Sequence, residues 1–505
     1  MYLLGIDIGT SSAKCLLTDT AGSAVLSVSR GYPLETPRPG WAEQRAEDWA
    51  EAVFACLREL ITEHGIRPSE IGGISFSGQM HGLVPLDKNG NVIRKSILWC
   101  DQRTEKQCNA ITAAAGGRDK LLNMTNNVML TGYTGGKILW LKETEPVHYR
   151  AMTVFICPKD YVRFRLTGAI CTDESEASGT GFFDTKNRCW HEDLIRAAGL
   201  DFSVFPKVVR STDPAGTVSE EAARCTGLLA GTPVFAGGGD AVVQAFGSGL
   251  IAEGTVGTVI GTAGNVSMGF ESYRENPEGK LQMFCAVVPD RYLSFGATQT
   301  AGGALRWFRD ELAGEVAAEA KEKGINAFDL LNEMALMSPP GANGIVFAPY
   351  LSGERCPYPD ANARGVLYGL SLNTRKRDIV RAVMEGIVFS LRQIVDIYRS
   401  FARVESAAAS GGGANSDVFL RMQADIFELP VYTVSAAGEG GAYGAALLAG
   451  MGLSVFSSAE DALKGLKKEK EILPVPENSK LTMKSYALYK ELYPSLAHVY
   501  RMGGD

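Results

Sequence analysis

Histidine is the scarcest titratable side chain here, with five copies among 505 residues. His64, His148, His191 and His498 lie on charged or polar stretches without the short spacings of metal ligands, and read as solvated side chains. Only His81, between Met80 and Gly82, invites a second reading. The ten cysteines are scattered and form no Cys-x-x-Cys pair, so they are expected to be reduced thiols of a cytoplasmic protein. A leader is not expected either: Met1-Tyr2-Leu3-Leu4-Gly5-Ile6-Asp7 carries no basic start and reaches an acid too early for an export signal. The uncharged stretch 440–459 is broken by Gly441, Gly444, Gly450 and Gly452, and is expected as a close-packed buried helix with no membrane partner. Positive charge is not in excess: 50 basic against 57 acidic residues give −7, which argues against a nucleic-acid partner. With 45% hydrophobic and 21% charged residues, the chain is also far from disorder. There is no G-x-x-x-x-G-K-[ST] loop and no G-x-G-x-x-G after the first strand, which disfavours a P-loop enzyme and a nicotinamide dehydrogenase.

What the chain has in excess is glycine, 57 of 505 residues, against an average near 7%. The glycines cluster where strands should end: Gly9, Gly72-Gly73, Gly237-Gly238-Gly239, Gly254 to Gly264, Gly302-Gly303, Gly411-Gly412-Gly413 and Gly440-Gly441. Such turns let backbone N–H groups converge on an anion. Any one of them can be a packing turn, but their number points to a phosphate-rich ligand.

Length alone suggests about three domains, but self-comparison suggests two. Tyr2–Ile8, Lys14–Thr18 and Ala24–Ser29 read as a three-stranded meander, Trp49 to Leu60 as an amphipathic helix and Ile71–Ser77 as a strand. Ile379 to Tyr398 carries another helical stripe, and strands are expected around Val234 and Ala407, so the class is α/β. Ile8-Gly9-Thr10 at the first hairpin recurs about half a chain later as Ile260-Gly261-Thr262, within a strand-rich stretch. A duplicated architecture follows, with residues 1–248 as an N-terminal domain and 249–505 as a C-terminal one, whose last helix is free to pack back on the first. The copies differ in chemistry: Asp7 stands two residues before Gly9, Val259 two before Gly261, so only the first hairpin offers a metal a carboxylate.

Several residues carry candidate chemistry. Thr10, Ser11 and Ser12 supply hydroxyl and backbone donors beside Gly9, and Lys14 a positive charge, for phosphates. Asp7 reads as a magnesium carboxylate or a turn cap. Asp240 follows three glycines at an expected helix start, where the dipole keeps an acid ionised, as an N-cap or a proton acceptor. His81 can donate to and accept from a polyol, or be a satisfied buried histidine. Trp99 suits an apolar wall or plain core, and Asp101 a hydroxyl acceptor.

Asp7-Ile8-Gly9-Thr10-Ser11-Ser12-Ala13-Lys14, Ser77-Gly78-Gln79-Met80-His81-Gly82, Trp99-Cys100-Asp101-Gln102-Arg103 and Gly237-Gly238-Gly239-Asp240 together resemble the FGGY carbohydrate kinases. Gly132-Tyr133-Thr134-Gly135-Gly136-Lys137, Pro349 to Arg355 and Ser410 to Ser416 extend the resemblance in order over nearly the whole chain. It implies two actin-like ATPase (ribonuclease H-like) domains related by duplication, with an active-site cleft between them. It also implies ATP and magnesium as cofactors, Asp240 as general base, and a ketopentose, D-xylulose, against Met80, His81, Trp99 and Asp101. Glycerol kinases carry an Arg-Glu pair where this chain has Met-His, which weighs against glycerol. In the second half, Gly261 and Thr262 are expected at the phosphates, Gly302 and Gly303 at a helix start beside the nucleotide, Gly412 and Gly413 against the adenosine, and Asn415 and Ser416 on its base or ribose. Another ketose, sugar acid or polyol is the near alternative, and a non-enzymatic actin-like nucleotide switch the distant one. A homodimer is left open.

Overall fold

The computed structural model describes residues 1–435 and 438–503. It forms two compact units: unit 1 comprises 1–251, 269–294 and 439–466, and unit 2 comprises 252–268, 295–438 and 467–505. The chain therefore enters unit 1 three times, where a single cut near 248 was expected.

In unit 1, β1 (Tyr2–Ile8), β2 (Ser12–Thr18) and β3 (Ala24–Gly31) form the expected meander. β4 (Ile71–Gly78) runs parallel to β1 on its other side. Beyond it lie β5 (Pro214–Thr217) and β6 (Pro233–Phe235), in the order β5-β6-β4-β1-β2-β3. Leu3, Leu4, Ile6 and Ile8 of β1 are all fully buried, as befits a central strand covered on both faces. α1 (Ala46–Thr62) turns Trp49, Val53, Cys56, Leu57 and Leu60 onto this sheet, with Glu47 and Asp48 in its first turn complementing the helix dipole. Three further helices bring residues toward the strand ends: α2 (Thr134–Thr144), α3 (Pro158–Thr167) and the single turn α4 (Glu174–Ser178). After β6, Gly238 and Gly239 pair with Ser77 and Gly78, and α5 (Asp240–Gly247) begins.

Unit 2 repeats this plan. β7 (Gly254–Ile260) and β8 (Gly264–Phe270) form an antiparallel hairpin. β9 (Val404–Ser410) is parallel to β7, β10 (Val431–Val434) parallel to β9, and β11 (Lys468–Ile472) antiparallel to β10. The relations of β1 to β4, β6 and β5 are thus reproduced strand for strand. The helices of this unit are α6 (Gly302–Leu312), α7 (Lys376–Arg399) and α8 (Asp417–Phe427).

The segment that returns to unit 1 is α9 (Gly440–Gly452), and the last helix does not. α9 lies on β1 and β4 because both sides give up side chains. A Cβ on Gly5 would come within 1.9 Å of the Ala442 carbonyl oxygen, and one on Gly441 within 2.1 Å of Ser77 Oγ in β4; on its other side α9 meets α5, where a Cβ on Gly444 would stand 2.3 Å from the Val243 carbonyl oxygen. The last helix, α10 (Pro476–Met502), stays in unit 2, where Tyr489 Oη meets Tyr350 Oη at 3.0 Å and Tyr486 Oη donates to Asp396 at 2.6 Å. No helix among the described residues is long and apolar enough to cross a membrane.

Candidate active site

The first hairpin is held from several directions. Gly9 N donates to Ser12 O at 3.0 Å, Gln44 Nε2 to Thr10 O at 2.8 Å, and Tyr32 Oη to Gly9 O. Gln79 joins the support through Nε2, which donates to Gln44 Oε1 at 3.0 Å. Ser11 and Ser12 stay exposed at the tip. Thr10 is already engaged, its Oγ1 accepting from the Trp99 indole N–H at 3.0 Å. Trp99 is 36% exposed, so it is an accessible wall beside the hairpin and not core.

Asp7 faces Lys14 across β2 and Ser77 across β4. Burial raises its pKa against the opposing effects of Ser77 and Lys14. Among the described residues its Oδ1 has no donor in good hydrogen-bond geometry, the Ser77 hydroxyl beside it lowering the pKa only against the larger effect of burial. A buried carboxylate oxygen so weakly satisfied is what a hydrated cation would complete. No group of three acidic, histidine or cysteine ligands accompanies it among the described residues, but magnesium commonly takes one or two carboxylates and fills its shell with water and phosphate. Lys14 lies 3.3 Å from Glu439 Oε2, so its charge is already partly balanced.

Asp240 is the first residue of α5, half-buried, and its Oδ1 accepts from Ala241 N at 2.7 Å. Its pKa does not follow the helix dipole. Burial, and then the charge of Asp7, push it up from 3.8 to about 7. The expectation of an acid held ionised by the helix start is thereby corrected: desolvation and a like charge outweigh the dipole. A carboxyl poised near neutrality is well matched to taking a proton from a hydroxyl.

Met80 and His81 follow β4. Met80 is buried with its side chain over Gly239, where an added Cβ would meet Met80 Cγ at 2.5 Å, so it adjoins the residue before Asp240. His81 adopts a left-handed φ of 69°. Its carbonyl accepts from Lys137 Nζ at 2.7 Å and Thr134 Oγ1 at 3.2 Å, which secures that conformation. Its Nδ1 lies 2.8 Å from Gly179 O. A carbonyl can only accept, so Nδ1 carries the proton and Nε2 is left as an acceptor. Burial and the nearby Lys137 lower the pKa of His81 to about 3, keeping the ring neutral. Of the two polyol-binding capacities expected, only acceptance remains. Lys137, whose own pKa burial lowers to about 7, was visible in the sequence as a lone cation among apolar and small residues, but its partners were not.

Asp101 is not available to a sugar. It is fully buried; Oδ2 accepts from Ala42 N at 2.7 Å and Arg103 Nη2 at 2.7 Å, and Oδ1 from Arg103 N and Nε at 2.9 Å each. Its role is to fix Arg103, which also meets Glu43 at 2.8 Å and lies 3.5 Å over the Trp41 ring.

In unit 2, three of the predicted loops meet at the end of β7. The second hairpin closes with Gly261 N donating to Ala263 O at 3.0 Å, leaving Thr262 exposed. Gly302 and Gly303 do start a helix, but their N–H groups donate to Gly261 O at 2.8 Å and Thr262 O at 3.1 Å. These amides brace the hairpin and are not free for phosphate. Gly302 must lack a side chain for this, since a Cβ would stand 2.6 Å from Gly261 O. Gly411, with φ of 75°, turns the chain after β9, and Gly413 packs on Ile260. Gly412 and Asn415 are exposed. Ser416 departs from expectation: its Oγ accepts from Phe419 N as the N-cap of α8 and donates to Asn332 Oδ1 at 3.1 Å. A cap-forming serine three residues before a buried aromatic was a readable signal.

The chain thus combines a repeated sheet plan, a glycine-tipped hairpin in each unit, and in unit 1 a near-neutral aspartate that feels the charge of a second buried carboxylate. Residues 2–247 match the N-terminal domain, and residues 258–453 the C-terminal domain, of the FGGY family of carbohydrate kinases, and the chain belongs to that family. It is 38% identical to the xylulose kinase of Bacillus subtilis (strain 168) over 97% of this chain and 96% of that one. It is 31% identical to the gluconokinase of the same organism over 85% and 83%. Among solved structures, the ligand-bound xylulose kinase of Lactobacillus acidophilus superposes with a TM-score of 0.91 at 28% identity, covering 99% of each chain.

Proposed function

We propose that the chain transfers the γ-phosphoryl group of ATP to the C5 hydroxyl of D-xylulose, giving D-xylulose 5-phosphate. The observation that carries this reading is the joining of sugar handle and base: Met80, next to His81, lies over Gly239, next to Asp240. Asp240 takes the proton of the C5 hydroxyl, whose oxygen bonds to the γ-phosphorus as the bond to the β-phosphate oxygen breaks and ADP leaves. His81 Nε2 accepts from a sugar hydroxyl, and Trp99 offers its ring to the sugar carbons. In unit 1, Gly9, Thr10, Ser11, Ser12 and Lys14 attend phosphate. In unit 2, Gly261 and Thr262 do so, and Gly412, Gly413 and Asn415 border the adenosine. Asp7 would hold magnesium, which neutralises phosphate charge. The ten free cysteines suit a protein working in the reducing cytoplasm.

The likeness to gluconokinase raises a sugar acid as substrate. Its carboxylate would call for an uncommitted cation, whereas Lys137 donates to the His81 and Gly132 carbonyls and Arg103 is bound by Asp101 and Glu43. The neutral sugar is favoured. In an ADP-release assay over ketoses, sugar acids and polyols, D-xylulose should exceed gluconate and glycerol in kcat/KM by about 10-fold to 200-fold. Faster turnover of another sugar with negligible turnover of D-xylulose would overturn the assignment. ADP release without sugar, unstimulated by any, would instead revive the nucleotide switch.

His81→Phe keeps a ring and removes both nitrogens. It should raise the KM for sugar by about tenfold, the worth of one hydrogen bond, and leave that for ATP within about twofold. Equal changes in both would dissociate His81 from the sugar.

A further inference from the structure

Three glycines precede Asp240, a run that by itself would leave a catalytic carboxyl poorly located. The loop is nevertheless pinned. Ala236 O accepts from Arg163 Nη1 at 2.9 Å, and Gly237 N donates to Ser211 O at 2.9 Å. The last anchor before Asp240 is a side chain: Ser175 Oγ, at the start of α4, accepts from Gly239 N at 3.0 Å.

Ser175 is itself fixed from behind. Its hydroxyl donates to Asp173 Oδ2 at 2.5 Å, its backbone N–H donates to the same oxygen at 2.8 Å, and Ser211 Oγ adds a third donor at 3.0 Å. Asp173 Oδ1 lies 2.9 Å from Lys159 Nζ, which also meets Asp160 at 2.6 Å. Lys159, Asp160, Arg163, Asp173 and Ser175 are all fully buried. Buried charges are expensive and contribute little net stability, and Asp160 Oδ2 and Arg163 Nε of this cluster stay without a hydrogen bond, but Asp173 Oδ2, which takes three donors, holds the Ser175 hydroxyl in one orientation. The other end of the same helical turn supports the sugar handle, through Gly179 O and His81 Nδ1.

We propose that Ser175, backed by the Asp173–Lys159 pair, is a positioning residue that sets where Asp240 stands, and that its contribution falls on the transfer step and not on sugar binding. The inference rests on the reading of Asp240 as the base. Removing the Ser175 hydroxyl frees the Gly239 amide while leaving the contact of Gly179 with His81 intact, so kcat and KM should separate.

The test compares Ser175→Ala, Ser175→Thr and Asp240→Asn with the wild type, using whichever sugar the wild type turns over fastest. Ser175→Ala should lose about 10-fold to 100-fold in kcat, the scale of a small misplacement, with both KM values within about twofold. Ser175→Thr, which keeps an Oγ, should recover kcat to within about threefold of wild type. Should the alanine variant not fold, Ser175→Cys, close in size and a weak hydrogen-bonding group, replaces it with the same expected split. An alanine variant with kcat within twofold of wild type overturns the inference. So does a loss spread equally over kcat and sugar KM that threonine does not restore, since that marks a merely structural role. An Asp240→Asn variant as active as wild type overturns the role of Asp240 instead; an inactive one beside a fully active Ser175→Ala overturns only that of Ser175.

Discussion

Asp240→Asn is expected to lower sugar-dependent kcat by about 10²-fold to 10⁴-fold, the usual contribution of a general base, while the sugar still binds with its affinity changed by no more than about threefold. Asparagine keeps the size of the side chain and an oxygen that can accept from Ala241 N, as Asp240 Oδ1 does at 2.7 Å. It removes the capacity to take a proton. Calorimetric titration with sugar and a coupled assay on the same preparation separate the two effects. A variant retaining a tenth or more of wild-type turnover would remove Asp240 from the role of base.

The same substitution carries a sign that a structural lesion would not. The folded pKa of Asp240 is raised to about 7 from 3.8, so between those values the folded chain holds a proton that the unfolded chain has released. This group's contribution to stability therefore declines as pH rises through that window and stays low above it. At pH 8 the neutral asparagine relieves the penalty, and its thermal transition should be no lower than that of wild type. In activity the order is reversed, because the base must be ionised. The kcat/KM of wild type should fall about tenfold per pH unit below about 7 and level off above.

The sequence reading and the structure agree most closely where local pattern decides. The meander, α1 and α7 follow from apolar periodicity, and the two-hairpin repeat from Ile8-Gly9-Thr10 and Ile260-Gly261-Thr262, because adjacent strands and turns are specified by neighbours in sequence. Misreadings came where a distant group decides. The helix start at Asp240 was visible, but the burial and the Asp7 charge that outweigh its dipole were not. Asp101 resembles a sugar ligand in sequence, but the Ala42 amide, 59 residues away, and the Arg103 guanidinium, whose own placement depends on Glu43 and Trp41, occupy its oxygens. The glycines of 440–452 signalled close packing, though not against which strands. The 1.9 Å approach of Ala442 to Gly5 supplies the reason: a helix buried all round has no polar face to reveal its orientation.

That contact makes the second large effect. Gly441→Ala and Gly5→Ala should each lower the apparent melting temperature by several degrees, since overpacking costs about 1–3 kcal/mol, at roughly 2–4 °C per kcal/mol for a unit of this order of size. In an ordinary helix interior the change at Gly441 would stabilise by about 1 kcal/mol. Here the added Cβ would stand 2.1 Å from Ser77 Oγ and 2.8 Å from Asp7 Oδ1, and the Cβ at Gly5 would overlap a backbone oxygen that has no rotamer to retreat into. Gly441→Ala strikes at function as well, because the side chains it displaces include the carboxylate assigned to magnesium; its kcat should fall by about tenfold or more. Gly5→Ala, deeper along β1, should show the larger loss of stability. Gly314→Ala is the control, for nothing lies within 4 Å of its Cβ, and both melting temperature and kcat should hold. Unchanged melting and turnover in Gly441→Ala would mean that α9 does not lie against the Asp7–Ser77 edge, and the account of why Asp7 is buried would fall with it.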